Sequence, residues 1–195
     1  MQKDLEYLYS LRKYLLLLTG IFFFFVIIGF AVSLKNPEKS AYLIESFKET
    51  FGWITKLDPF DRMLAIFKNN ALNSLLALVS GIGFGLVPLT LIAVNGLFLG
   101  MVVEVFSIEK GILFVFAAIL PHGIIELPMV FISAGIGLRL GYEMYRFLNG
   151  EGGTNLKQEF KQGLWFYLVR ILPLLFVAAV IESYVTPVIA LYFSG

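Results

Sequence analysis

The chain has 195 residues, 58% of them hydrophobic, with a net charge of +1 and no cysteine. Soluble domains stay near ~45–50% apolar even when glycine is counted, so this is a membrane composition. The balance of 15 basic against 14 acidic residues removes the basic footprint that nucleic-acid binding needs. The missing cysteines exclude a disulfide scaffold, an iron–sulfur site and a thiol nucleophile.

A helix needs ~20 apolar residues to cross ~30 Å of hydrocarbon. The first run of that length covers residues 14–34, directly after Arg12 and Lys13. Its apolar core is longer than the ~7–15 residues of a signal peptide, so it reads as a retained anchor. Residues 35–70 are wetter. Asn36-Pro37 is a helix-start signal, and Leu43, Ile44, Phe47, Phe51 and Ile54 follow helical spacing while Lys39, Glu45, Lys48 and Glu49 take the other face. That pattern predicts an interfacial amphipathic helix within 36–60, with Trp53 near the headgroups. Asp58-Pro59 repeats the start signal, with Asp61 at the third helical position, and predicts a helix leading into the next span.

Residues 71–106 as one straight helix would measure ~54 Å, too long for any bilayer. Gly81, Gly83, Gly85 and Pro88 supply the fold-back, because glycine weakens a helix and proline removes a donor. Two spans are expected, about 68–85 and 89–106, joined by a short turn. The next run, 111–138, carries Pro121 and Pro128 and is expected to be kinked or to begin with a half-helix. The last, 164–193, contains Arg170, Pro173, Glu182 and Pro187. The reading is therefore an all-α, polytopic transmembrane bundle of about five spans forming a single membrane domain over 1–195. Asn149-Gly150-Glu151-Gly152-Gly153 reads as a loop tip.

Basic residues divide evenly between the two sides of such a bundle. Arg12, Lys13, Arg139 and Arg146 sit tight against span ends, where the positive-inside rule has most force, which favours a cytoplasmic N-terminus in a cell membrane. Trp165 and Arg170 join these residues and Trp53 as interface anchors, Arg170 by snorkelling to headgroups. Glu182, twelve residues beyond Arg170, is then expected toward the far interface, in water.

The ionisable pair His122 and Glu126, in Pro121-His122-Gly123-Ile124-Ile125-Glu126, is separated by one helical turn and so shares a face. At membrane depth such a pair is costly unless it is partnered or hydrated. Packing glue, an ion relay and a catalytic or metal role all remain open. Metal ligation is the weakest: His122 is the only histidine, the HExxH spacing is absent, and the remaining candidate ligands, Glu104 and Glu182, lie near span ends. No GxSxG motif is present, which leaves serine-hydrolase chemistry without a nucleophile, and no cofactor is expected. Asn69, Asn70 and Asn73 open the second span, and Asn95 stands beside Gly96, which pairs with Gly100 as GxxxG and permits close helix approach. Buried polar groups seek one another where lipid offers no partner, so Asn95 and one of the other asparagines are expected near His122 and Glu126.

Asn69-Asn70, the glycine-broken hairpin, Asn95-Gly96-x-x-x-Gly100 and Pro121-His122-Gly123-x-x-Glu126 together resemble the stage II sporulation protein M family, from about Asn69 to the end of the chain. The resemblance implies a helical integral membrane protein without enzymatic activity of its own. It also implies a role like that of the family's namesake, which holds peptidoglycan-degrading enzymes at the membrane during engulfment. A membrane scaffold with protein partners or a second copy is the expectation. A transporter or channel-like protein using the His/Glu/Asn cluster is the alternative, and an intramembrane enzyme the third.

Overall fold

The computed structural model describes residues 2–151 and 156–193, and the side chains of Lys3, Phe47, Lys48, Phe51 and Thr55 lie outside that description, as do Gly152 and Gly153 of the loop tip. The described residues form helices α1 (Gln2–Lys35), α2 (Pro37–Phe51), α3 (Pro59–Val79), α4 (Leu86–Lys110) and α5 (Ile112–Leu148), followed by α6 (Leu156–Tyr192). All but α2 are long and apolar enough to cross a membrane. This is an all-α bundle of five spans.

Helix starts follow local chemistry. The Asn36 carbonyl accepts from the Ser40 N–H to open α2, while its side-chain amide reaches back to Val32 O. Asp58 caps α3, its carboxylate accepting from the Phe60 and Asp61 N–H groups at 3.0 and 3.3 Å, and Pro59 fills the first position, where a missing donor costs nothing. α3 then runs unbroken into the span, so the leading helix and the span are one element. α2 lies against α4, with Ile44 buried on Met101 and Val105, while Tyr42, Leu43 and Trp53 are exposed.

The fold-back is a 3-10 turn at Ser80–Ile82 followed by Phe84 and Gly85 at φ 60° and 73°. Gly85, in the left-handed region where a Cβ is disfavoured, closes the turn by donating to Gly81 O at 2.8 Å. Pro88 is buried in the first turn of α4, and Gly83 is exposed in the turn itself. α5 is continuous through Pro121 and Pro128 rather than beginning as a half-helix. It is about 55 Å long and outruns the bilayer. α6 contains two π turns, Tyr167–Ile171 and Ile181–Val185. Each lies just before a proline, Pro173 or Pro187, whose absent N–H and bulky ring the normal ladder cannot accommodate.

Lipid supplies no hydrophobic drive between helices, so close packing through small residues holds such bundles together. α1 lies along α4, and a methyl group at Gly96 or Gly100 would strike the carbonyls of Phe22 and Val26, while one at Gly29 would strike that of Leu97. α5 meets the end of α3 and the turn after it in the same way, where Gly137 touches Ala77 and Gly81. Leu18, Phe22, Ala77, Ile92 and Ala134 fill the centre. Tyr7, Leu11, Leu140, Phe166 and Ile171 form a second core at the N-terminal end of α1. The outward faces stay apolar, with Leu16, Phe24 and Ile27 exposed, as a lipid-facing surface requires.

Candidate functional site

α3 and α4 touch little beyond their turn, and the space between them is a cavity. It measures about 490 Å³ and is lined by Asn69, Asn70, Asn73, Asn95, His122, Gly123 and Glu126, with Phe22, Ile92 and Phe131 at its apolar back. A second cavity of about 560 Å³ shares the four asparagines, His122 and Glu126 and continues past Glu182 and Thr186 to Arg62 and Ile54, at the end of the bundle where α2 lies. Asn69, Asn73 and Asn95 are exposed at the cavity mouth, whereas Asn70, His122 and Glu126 are half-buried.

Each element contributes for a local reason. α5 carries His122 and Glu126 one turn apart, so both face the cavity. Asn70 lines the same two cavities as Glu126, and the Asn69 amide donates to Asn70 Oδ1 at 3.4 Å. The stretch of α3 that bears them is held to α6 by Tyr167, whose hydroxyl donates to Ala71 O at 2.7 Å. α6 is tied to the start of α3 by Ser183, which donates to Pro59 O. His122 Nδ1 lies 3.4 Å from Thr186 Oγ1.

Glu182 lines the second cavity toward the α2 end, and, as spacing did not foresee, it offers a ligand atom within 4.8 Å of those of His122 and Glu126. The π turn at Tyr167–Ile171, which contains Arg170, adds a residue to the helical phase ahead of Glu182, and a second at Ile181–Val185 does so ahead of Thr186. Regular helical phase from Arg170 cannot find Glu182; the available signals are Pro173 and Pro187. Arg62 and Thr186 are likewise cavity residues that spacing alone did not single out. The sequence reading set metal ligation aside, yet these three side chains form a compact donor group.

The remaining residues lie elsewhere. Glu104 lies near the end of α4, as expected, but is 2% exposed and accepts from the Ser33 hydroxyl at 2.6 Å. Arg170 does not simply snorkel; its Nε donates to Asp4 at 3.1 Å, because α1 begins early enough to place Asp4 beside it. Arg139 donates to Glu159 at 2.8 Å and to Ser10 at 2.6 Å, Arg146 pairs with Glu143 and Glu151, and Arg12 and Lys13 lie over the Tyr9 and Tyr14 rings. Trp165 is exposed. The arginine pairs gather at the end of the bundle opposite α2.

Five apolar helices around a polar cavity define a multi-pass helical membrane protein. The chain belongs to the stage II sporulation protein M family, whose model matches residues 18–187. Among its relatives is an uncharacterized protein of Methanocaldococcus jannaschii, 34% identical over 130 residues, which are 66% of this chain and 72% of the relative. A second uncharacterized protein of the same organism is 34% identical over 131 residues, 64% of this chain and 55% of the relative, so the match spans little more than half of that protein. No solved structure matches the chain.

Proposed function

We propose that the protein handles a cation at span depth, as a transporter or channel-like protein, through the cavity lined by His122, Glu126, Glu182 and the asparagines. One observation carries this reading. A purely structural His–Glu pair would be dry and closed on itself, whereas these side chains line adjoining cavities that continue toward Arg62 and Ile54 at the α2 end. Ionisable groups retained at membrane depth mark ion or proton pathways by default, and half-open cavities between helices supply the water such a pathway needs. No covalent chemistry is assigned to the chain. In proteoliposomes the wild-type chain carries a proton or divalent-cation flux, and Glu126→Gln abolishes it; absence of flux for both ions in the wild type contradicts the reading.

A scaffold role is the second reading. It is supported by the exposure of Asn69, Asn73 and Asn95 within helices that span, since an amide facing lipid is stabilised by a partner helix. Capture of a stoichiometric membrane partner that is lost on Asn73→Leu would favour it. Orientation belongs to the same proposal: Arg139 and Arg146, in the last turns of α5, argue that the end of the bundle where α5 gives way to α6 is cytoplasmic, in a cell membrane. A membrane-impermeant thiol reagent applied to intact cells then labels Glu49→Cys and spares Asn149→Cys, and the reverse pattern inverts the topology.

A further inference from the structure

The geometry points to a single site for a divalent first-row transition-metal ion, ligated by His122, Glu126 and Glu182, which gives the cation-handling reading above its substrate class and rests on it. One ligand atom from each residue lies within 4.8 Å of the other two. Donors 2.0–2.2 Å from a shared zinc-type ion stand roughly 3–3.5 Å apart, so up to about 1.3–1.8 Å remains to close, a distance the rotatable glutamate side chains can cover. One imidazole nitrogen and two carboxylates form a mixed donor set that suits Zn²⁺, Mn²⁺ or Fe²⁺. Both adjoining cavities reach His122 and Glu126, leaving room for water in the remaining coordination positions.

A second observation concerns the imidazole. Thr186 Oγ1 donates to Ile181 O at 3.3 Å, so the hydroxyl faces His122 Nδ1, 3.4 Å away, with a lone pair. An N–H on Nδ1 is the partner that lone pair accepts. In that tautomer Nε2 carries the lone pair a metal would take, the outer-sphere arrangement that metal-binding histidines use. Two carboxylates this close at membrane depth repel each other, and a dication between them removes the repulsion.

The test is metal binding by the full-length chain purified in detergent, stripped with chelator and titrated with Zn²⁺. One Zn²⁺ per chain is expected, and the zinc X-ray absorption spectrum should contain one imidazole and oxygen donors. Glu126→Gln, Glu182→Gln and His122→Gln each weaken binding more than about 10-fold, while Glu104→Gln, whose carboxyl is bonded to Ser33, leaves it unchanged. Thr186→Val weakens binding with the ligands intact, and Thr186→Ser restores it. No stoichiometric binding, a spectrum without imidazole, Mg²⁺ binding as tightly as Zn²⁺, or an unaltered Glu182→Gln would each overturn the site. The spectrum of the wild-type chain decides the matter even if a ligand variant fails to fold. Zinc bound by these residues without any flux overturns the transport reading and leaves the site standing; flux without zinc binding does the opposite.

Discussion

The Ser33 hydroxyl donates to the Glu104 carboxylate at 2.6 Å across the α1–α4 contact, and both side chains are almost fully buried. The pair shows what a structural carboxylate looks like in this bundle: enclosed and partnered, away from the two cavities. Ser33→Ala removes the donor and leaves the carboxyl group short of a partner, so it should cost about 1–3 kcal/mol. Thermal unfolding in detergent reads the loss, and an unchanged midpoint would show that the bond contributes nothing.

Gly100 and Gly123 separate steric need from tolerance. A Cβ at Gly100 would run into the Val26 carbonyl and the Phe30 nitrogen, whereas one at Gly123 meets Ile119 Cγ2 at 3.6 Å, an ordinary contact. Gly100→Ala is expected to lose about 1–3 kcal/mol through overpacking of a backbone contact. Gly123→Ala should leave stability nearly unchanged. Equal midpoints for the two variants would contradict the α1–α4 register.

Two ion pairs at the arginine-rich end differ in burial. The Arg139 and Glu159 side chains are 19% and 11% exposed, while Glu151, facing Arg146, is 58% exposed. Glu159→Ala strands a largely buried guanidinium and should cost roughly 2 kcal/mol. Glu151→Ala should be close to neutral, as exposed pairs are. Chemical denaturation of the two variants side by side checks the ranking.

Backbone donation from Asp61 and then Phe60 holds the exposed Asp58 carboxyl below its usual range. A depressed carboxyl pKa stabilises the folded state fully above the unfolded value of ~3.9 and ceases to do so as pH falls through the folded value. Wild-type stability should therefore decline over that acidic window more steeply than that of Asp58→Asn, which keeps a neutral cap. Parallel pH profiles for the two proteins would remove Asp58 from the acid response.

Run length, the glycine cluster at 81–88 and the Asp58-Pro59 start made the five-span bundle readable before any coordinates, because crossing length and helix capping are local properties. Local spacing also put His122 and Glu126 on one face. The nearness of Glu182 to the pair was not readable: it lies 56 residues beyond Glu126, on a helix whose phase the π turn at Tyr167–Ile171 has already shifted. Gly29 was missed for a related reason. Its need for a bare backbone comes from Leu97 on α4, and no motif on α1 announces that contact. Continuity of α5 through two prolines reflects neighbouring helices that stabilise it, which a single run cannot reveal.

The central claim, that the cavity between α3 and α4 is wet at span depth, is tested most directly by thiol accessibility in a bilayer, since the chain has no cysteine of its own. Asn95 lines the cavity, and its neighbour Val94 is 58% exposed on the outer surface. With a charged methanethiosulfonate reagent on both sides of proteoliposomes, Asn95→Cys should react readily and Val94→Cys, facing hydrocarbon, should not. Asn95→Cys as unreactive as Val94→Cys would contradict a hydrated cavity.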